Sequence, residues 1–133
     1  MSTADEATAV PISVGDLRAR IHVPANAAEA TVAVVLVDGS GDGTLEDWGE
    51  WPTRYAGCGA VVLSHDKPGC GGSPGDWMTQ SLTDRAQESL AAVHVLRAHP
   101  SVDRRPVGLV GVSQGGWVAL LAASLAPSSV DSW

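Results

Sequence analysis

Polar and apolar positions along the chain follow two rhythms. From Leu17 to Val23 (LRARIHV) they alternate, with Leu17, Ala19, Ile21 and Val23 on one face and Arg18, Arg20 and His22 on the other. A period of two predicts a strand with one face buried. Val10 to Val14 precedes it across the dipeptide Gly15-Asp16, so residues 10–23 predict an antiparallel hairpin closed by a two-residue turn. Three later runs lose the alternation: TVAVVLV (31–37), AVVLS (60–64) and VGLVGV (107–112). Continuous β-branched runs of this length predict strands buried on both faces. Helical spacing separates them. Leu82 to Ala98 carries a stripe of Leu82, Ala86, Leu90 and Val93, and Ser81 with Asp84 approximates a capping box at its start. Gln114 to Ala126 is rich in Ala and Leu and is stopped by Pro127. Leu45 to Ala56 is a weaker helical pattern, interrupted by Pro52, and Pro24 to Glu29 reads as a linker. A hairpin followed by alternating strands and helices predicts a three-layer α/β/α sandwich around a mostly parallel sheet. Residues 10–133 are expected to form part of a single domain, behind a frayed tail over residues 1–9.

Composition narrows the function more than the fold. Hydrophobic residues make up 44% of the 133, enough for a packed core. The net charge of −7 argues against binding nucleic acid or an anionic membrane, both of which need a basic surface. The longest apolar run, Trp117 to Ala123, is too short to cross a bilayer, and the first residues lack the basic and apolar regions of a secretory leader. Cys58 and Cys70 lack CxxC spacing and are expected to be free thiols in a reduced, cytoplasmic setting.

Candidate chemistry gathers where the last apolar strand meets the last helix. Gly111-Val112-Ser113-Gln114-Gly115 has the form GxSxG, between a buried strand and a helix as that motif requires. A serine in a tight strand-to-helix turn needs small neighbours, which Gly111 and Gly115 supply, and Gly116 is expected to let the helix pack close to the sheet. The turn aims the hydroxyl beyond the carboxyl end of the sheet, where the N-terminus of the following helix favours developing negative charge. The bland alternative is a capping serine. A second glycine-rich loop, Asp38-Gly39-Ser40-Gly41-Asp42-Gly43-Thr44, follows the first buried strand. The backbone N–H groups of Ser40 and Gln114 are the expected pair of oxyanion donors. Read as a calcium loop, this segment puts Gly49 where a bidentate carboxylate is needed. Read as a phosphate loop, it lacks GxxxxGK[ST], and Thr44 stands where GxGxxG needs glycine. No metal and no cofactor is expected.

Together these segments resemble the α/β-hydrolase family, in its serine peptidase/esterase-like branch and over that family's amino-terminal portion. The resemblance rests on VVLVDGSGDG, AVVLSHDKPGCGGSPGDW, LTDRAQESLAAVHVLRAHPSVD and VGLVGVSQGGWVALLAAS, in that order. It implies a partial α/β-hydrolase fold and hydrolysis of a small-molecule ester or peptide-like amide through an acyl-enzyme at Ser113. Asp66 matches the acid of the family's glycine turn and is expected to be structural. Three positions depart from the pattern: Asp38 stands for a usual His, Pro68 for a usual Arg beside Lys67, and Val112 for a usual His. Asp38 places negative charge near where an oxyanion would form.

The family's triad runs serine, acid, histidine in chain order. After Ser113 there is one acid, Asp131, and no histidine. The chain is therefore expected to be the amino-terminal part of a hydrolase and weak or inactive alone. His22 lies on the hairpin's polar face, and His94 and His99 lie on or after a helix. His65 is the best-placed upstream substitute, with pocket lining as its simpler role. Trp77 is a second candidate pocket residue; Trp48 and Trp51 are expected to pack, and Trp117 to be a core residue on a helix face. The strand Val107–Val112 is expected to be an unpaired edge, open to a second copy or a complementing chain. The competing function is a non-catalytic small-ligand binder, or a sheet-completing interaction protein derived from a hydrolase.

Overall fold

The computed structural model describes residues 8–131. Gly15 takes φ = +56° at the first position of the two-residue turn, a conformation glycine adopts without strain. The turn sets the register of β1 (Thr8–Val14) against β2 (Leu17–Val23), with Val14 opposite Leu17. β1 thus begins two residues before the expected Val10 and takes in the end of the expected tail. Residues 1–7 of that tail lie outside the described residues. Along β2, Leu17, Ala19 and Ile21 are buried as the alternation requires. His22 is also buried, opposite Val62 of the next strand, so the hairpin's second face is covered too.

The three continuous apolar runs form β3 (Val32–Val37), β4 (Ala60–His65) and β5 (Val107–Gly111). The sheet order is β1-β2-β4-β3-β5. The hairpin joins through an antiparallel β2–β4 pairing, and β3 pairs in parallel with both β4 and β5. β3 lies inside the sheet, between β4 and β5, and is apolar on both faces. Ala33, Val35 and Val37 enter the larger core, while Val34 and Leu36 enter the smaller one.

α1 (Trp51–Gly57) packs on the smaller core through Tyr55. α2 (Leu82–Arg97) and α3 (Gln114–Leu125) lie against each other over the larger core. Helices therefore cover both faces, giving the three layers expected. The weak helix over Leu45–Ala56 is two pieces, a short 3₁₀ turn over Leu45–Trp48 and then α1. Gly49 breaks them at φ = +58°. Pro52 sits in the first turn of α1, where its missing N–H costs nothing, and so starts the helix rather than interrupting it. In α2 the Ser81–Asp84 capping box forms in both directions. The buried stripe runs through Arg85, Ala86, Ser89, Ala92, Val93 and Leu96; Leu82, expected in it, is exposed at the first turn.

Candidate functional site

β5 delivers the chain to Ser113 at the carboxyl end of the sheet. Val112 extends the pairing by donating its N–H to Val37 O at 3.1 Å. Ser113 then takes φ = +57° and ψ = −125°, a backbone conformation that L-residues rarely adopt and that costs about 1–3 kcal/mol. The N–H groups of Gly115 and Gly116 donate to the carbonyls of Val112 and Ser113 at 2.9 Å, closing the turn into α3. Two glycines are required by space. A Cβ on Gly111 would lie 2.3 Å from Gly115 O, and a Cβ on Gly115 would lie 2.2 Å from Val37 O. Gly116 is different: nothing lies within 4 Å of its Cβ position. Gly115, not Gly116, makes the close approach to the sheet. The elbow stands clear of its surroundings and Ser113 is exposed.

The glycine-rich loop after β3 lies against the serine. A Cβ placed on Gly39 would be 3.2 Å from Ser113 Cβ. The Asp38 carboxylate turns back on its own loop, where Oδ1 accepts from Gly39 N–H at 2.8 Å. Among the described residues, the N–H groups of Ser40 and Gln114 have no acceptor. Two buried cations hold the far side of the loop. Arg85, from α2, donates to Asp38 O at 2.6 Å and to the Gln114 side chain at 2.9 Å. Lys67 donates to Gly39 O and, at 2.6 Å, to Gly41 O. Burial pulls both below their usual pKa ranges; Arg85 adds to the effect on Lys67. Their charge answers that of Asp38 beside the serine. Neither cation was marked as a site residue in the sequence, though each left a signal. Lys67 is the only lysine in the chain, and Arg85 interrupts the apolar face of a helix.

A family model described as X-Pro dipeptidyl-peptidase (S15 family) matches residues 15–132. The chain belongs to this family. Solved structures are similar to it as well. A hypothetical protein from Pseudomonas aeruginosa is 24% identical, with a TM-score of 0.73 over 97% of this chain. Est1E from Butyrivibrio proteoclasticus, solved with ferulic acid, is 22% identical, with a TM-score of 0.68 over 91%. A dienelactone hydrolase from Anabaena variabilis is 23% identical, with a TM-score of 0.66 over 96%. These likenesses show the α/β-hydrolase fold, and the chain spans 41%, 49% and 62% of those structures. No curated protein matches the sequence.

Within this S15-family frame the remaining candidates separate. Asp66 is fully buried and accepts from Ser73 Oγ, Leu45 N–H and Arg18, so it organises the glycine turn. Arg18 also pairs with Glu46 and holds that carboxyl down at a pKa of about 2. His65 does not reach Ser113. β3 stands between β4 and β5, which puts two strand spacings, about 9–10 Å, between their ends. Its Nδ1 donates to Asp66 O at 2.8 Å and faces Glu88 on α2. His22 is buried, and burial with Arg20 lowers its pKa. His94 is exposed, and His99 Nδ1 accepts from Ser101 N–H.

Asp131 is tied to the opposite end of β5, accepting from Val107 N–H and Arg97. Six residues of strand, roughly 20 Å, separate that position from Ser113. Trp77 lies over the Lys67 ammonium at 4.9 Å and donates to Asp42, roofing the loop. Trp48 and Trp51 do more than pack: with Asp38, Asp47 and Val112 they line a cleft of about 240 Å³ next to the elbow. A larger hollow of about 450 Å³, at Pro11, Ile12 and Arg18, holds no candidate residue. Trp117 is 71% exposed, not core, because Gly115, Val118 and Ala122 form the buried face of α3. Cys58 and Cys70 are unpaired thiols. Among the described residues no cluster of His, Cys, Asp or Glu could hold a metal, and no helix is long and apolar enough to cross a membrane.

Proposed function

We propose that this chain carries the nucleophile and oxyanion side of a serine hydrolase. Ser113 Oγ attacks the carbonyl carbon of an ester or a peptide-like amide. The carbonyl oxygen takes up the electron pair, and the N–H groups of Ser40 and Gln114 receive it. The serine proton passes to a general base; collapse expels an alcohol or amine that takes this proton back, and water, deprotonated by the same base, cleaves the acyl-enzyme to the free acid and restores Ser113. The observation that carries this reading is the strained backbone of Ser113, at the end of β5, with the Gly39–Ser40 peptide packed against it. Strain of this kind persists where the surrounding structure enforces it, and a capping serine has no need of it.

The general base and its acid partner are not supplied by the described residues, since His65 faces Glu88 and Asp131 sits at the wrong end of β5. Alone, the chain is therefore weak or inactive, and the missing pair comes from additional chain. Fluorophosphonate labelling tests the reading, with Ser113→Ala as control. Labelling lost in the control supports an activated Ser113; an equal signal in both removes catalysis from Ser113; and none in either leaves the elbow as structure only in this chain, with any activity dependent on the missing base.

A specific observation favours the second reading, a sheet-completing interaction protein. β5 is an edge, and beside it runs a groove of about 370 Å³ lined by Leu109, Gly111, Gly116, Ala119, Leu120 and Val130. A folded chain that never labels but pairs through this edge would fit that reading instead.

A further inference from the structure

We propose that Lys67 is a positioning residue for the oxyanion donor at Ser40; the inference rests on the hydrolase reading of this site. Lys67 is only 2% exposed, and no carboxylate pairs with it among the described residues. Burying an ammonium without a direct ion pair is costly, and a chain with no other lysine does so here. Its hydrogen bonds all go to the glycine-rich loop, to Gly39 O and Gly41 O, under the face of Trp77. A trans peptide is planar, with its C=O and N–H pointing opposite ways. Drawing Gly39 C=O toward Lys67 therefore turns Ser40 N–H away from it, to the side where Ser113 packs on Gly39. The loop that must present this N–H has glycine at 39, 41 and 43 and would not hold one conformation by itself. Arg85 fixes the preceding carbonyl and the Gln114 side chain in the same manner. The ammonium also polarises the Gly39–Ser40 peptide toward a developing anion, without touching substrate.

Lys67→Met keeps the side chain's length and removes its donors. In a folded Lys67→Met chain, the fluorophosphonate inactivation constant should fall about 10²-fold or more, as for loss of an oxyanion donor, while the reagent's binding constant stays unchanged. A folded variant that reacts at the parent rate overturns the inference. A second measurement needs neither the variant nor a reactive serine. A chain labelled with ¹⁵N at lysine Nζ gives one side-chain lysine signal, titrating below the ordinary lysine range. The charged groups around it are Asp38, Glu88 and Arg85, and a Cys70→Ser background removes the neighbouring thiol. The carbonyl ¹³C signals of Gly39 and Gly41 and the amide of Ser40 should move in step with it. If they do not, Lys67 does not hold the loop, and the inference fails. If the parent chain never labels, Ser113 is not activated in this chain by itself, and the titration alone decides for or against Lys67.

Discussion

At the scale of the residue, three positions in the elbow, 113, 115 and 116, make opposed demands that substitution can separate. Gly115→Ala forces a methyl against Val37 O and should destabilise the chain by about 1–3 kcal/mol or more. Gly116→Ala meets nothing, relieves a helix of a glycine and should stabilise by about 0.4–1 kcal/mol. Ser113→Gly removes the serine's backbone strain and should also stabilise, by about 1 kcal/mol, while abolishing labelling. Urea unfolding of the three variants beside the parent checks the signs. Equal effects of the two glycine substitutions would mean that Gly115 does not make the close approach described. The glycines were legible as a motif in the sequence. Which one the sheet requires was not, because distance along the chain from the serine does not tell how near each glycine comes to the sheet, and only the position of Val37 O distinguishes them.

At the scale of the element, β5 has two unlike edges. Its even-numbered residues turn their backbone groups to β3, as Pro106 O and Val112 N–H do, so Val107, Leu109 and Gly111 turn theirs outward. The first of these is covered by Asp131, whose carboxylate accepts from Val107 N–H and whose own N–H donates to Val107 O. Hydrogen exchange should therefore alternate: Gly108 and Val110 slow, Leu109 and Gly111 fast, Val107 slow. Asp131→Ala should add Val107 to the fast set. The bond from Val107, then Arg97, hold the Asp131 carboxyl below its ordinary range. A lowered carboxyl pKa stabilises above the unfolded-state value, and the stabilisation is lost as pH falls toward the folded one. Protection of Val107 should accordingly weaken in acid, below the ordinary carboxylate range. Protection unchanged in acid and in Asp131→Ala would show that the carboxylate does not cap this strand.

At the scale of the whole molecule, the outer face of α3 continues the groove beside β5. Trp117 is 71% and Leu120 68% exposed, and Val112 and Leu125 are exposed close by. An apolar helix face next to an unpaired strand favours association. Sedimentation should show self-association that grows with concentration, and Trp117→Glu with Leu120→Glu should suppress it without unfolding the chain. A parent chain that is monomeric at every concentration would contradict this.

The sequence by itself determined the elements and their order. Strict alternation marked the hairpin, unbroken β-branched runs marked β3, β4 and β5, and the Ser81–Asp84 box set the start of α2. It also marked Ser113, because a glycine-flanked serine between strand and helix is a local pattern. Tertiary structure decided what depends on which strands are neighbours. Placing β3 between β4 and β5 removes His65 from the serine, and the return of the chain to Val107 takes Asp131 to the far end of the sheet. The same packing brings Lys67 and Arg85, 18 residues apart in sequence, onto the carbonyls of one loop. No local periodicity encodes such a contact; it exists only once β4 and α2 have docked against that loop.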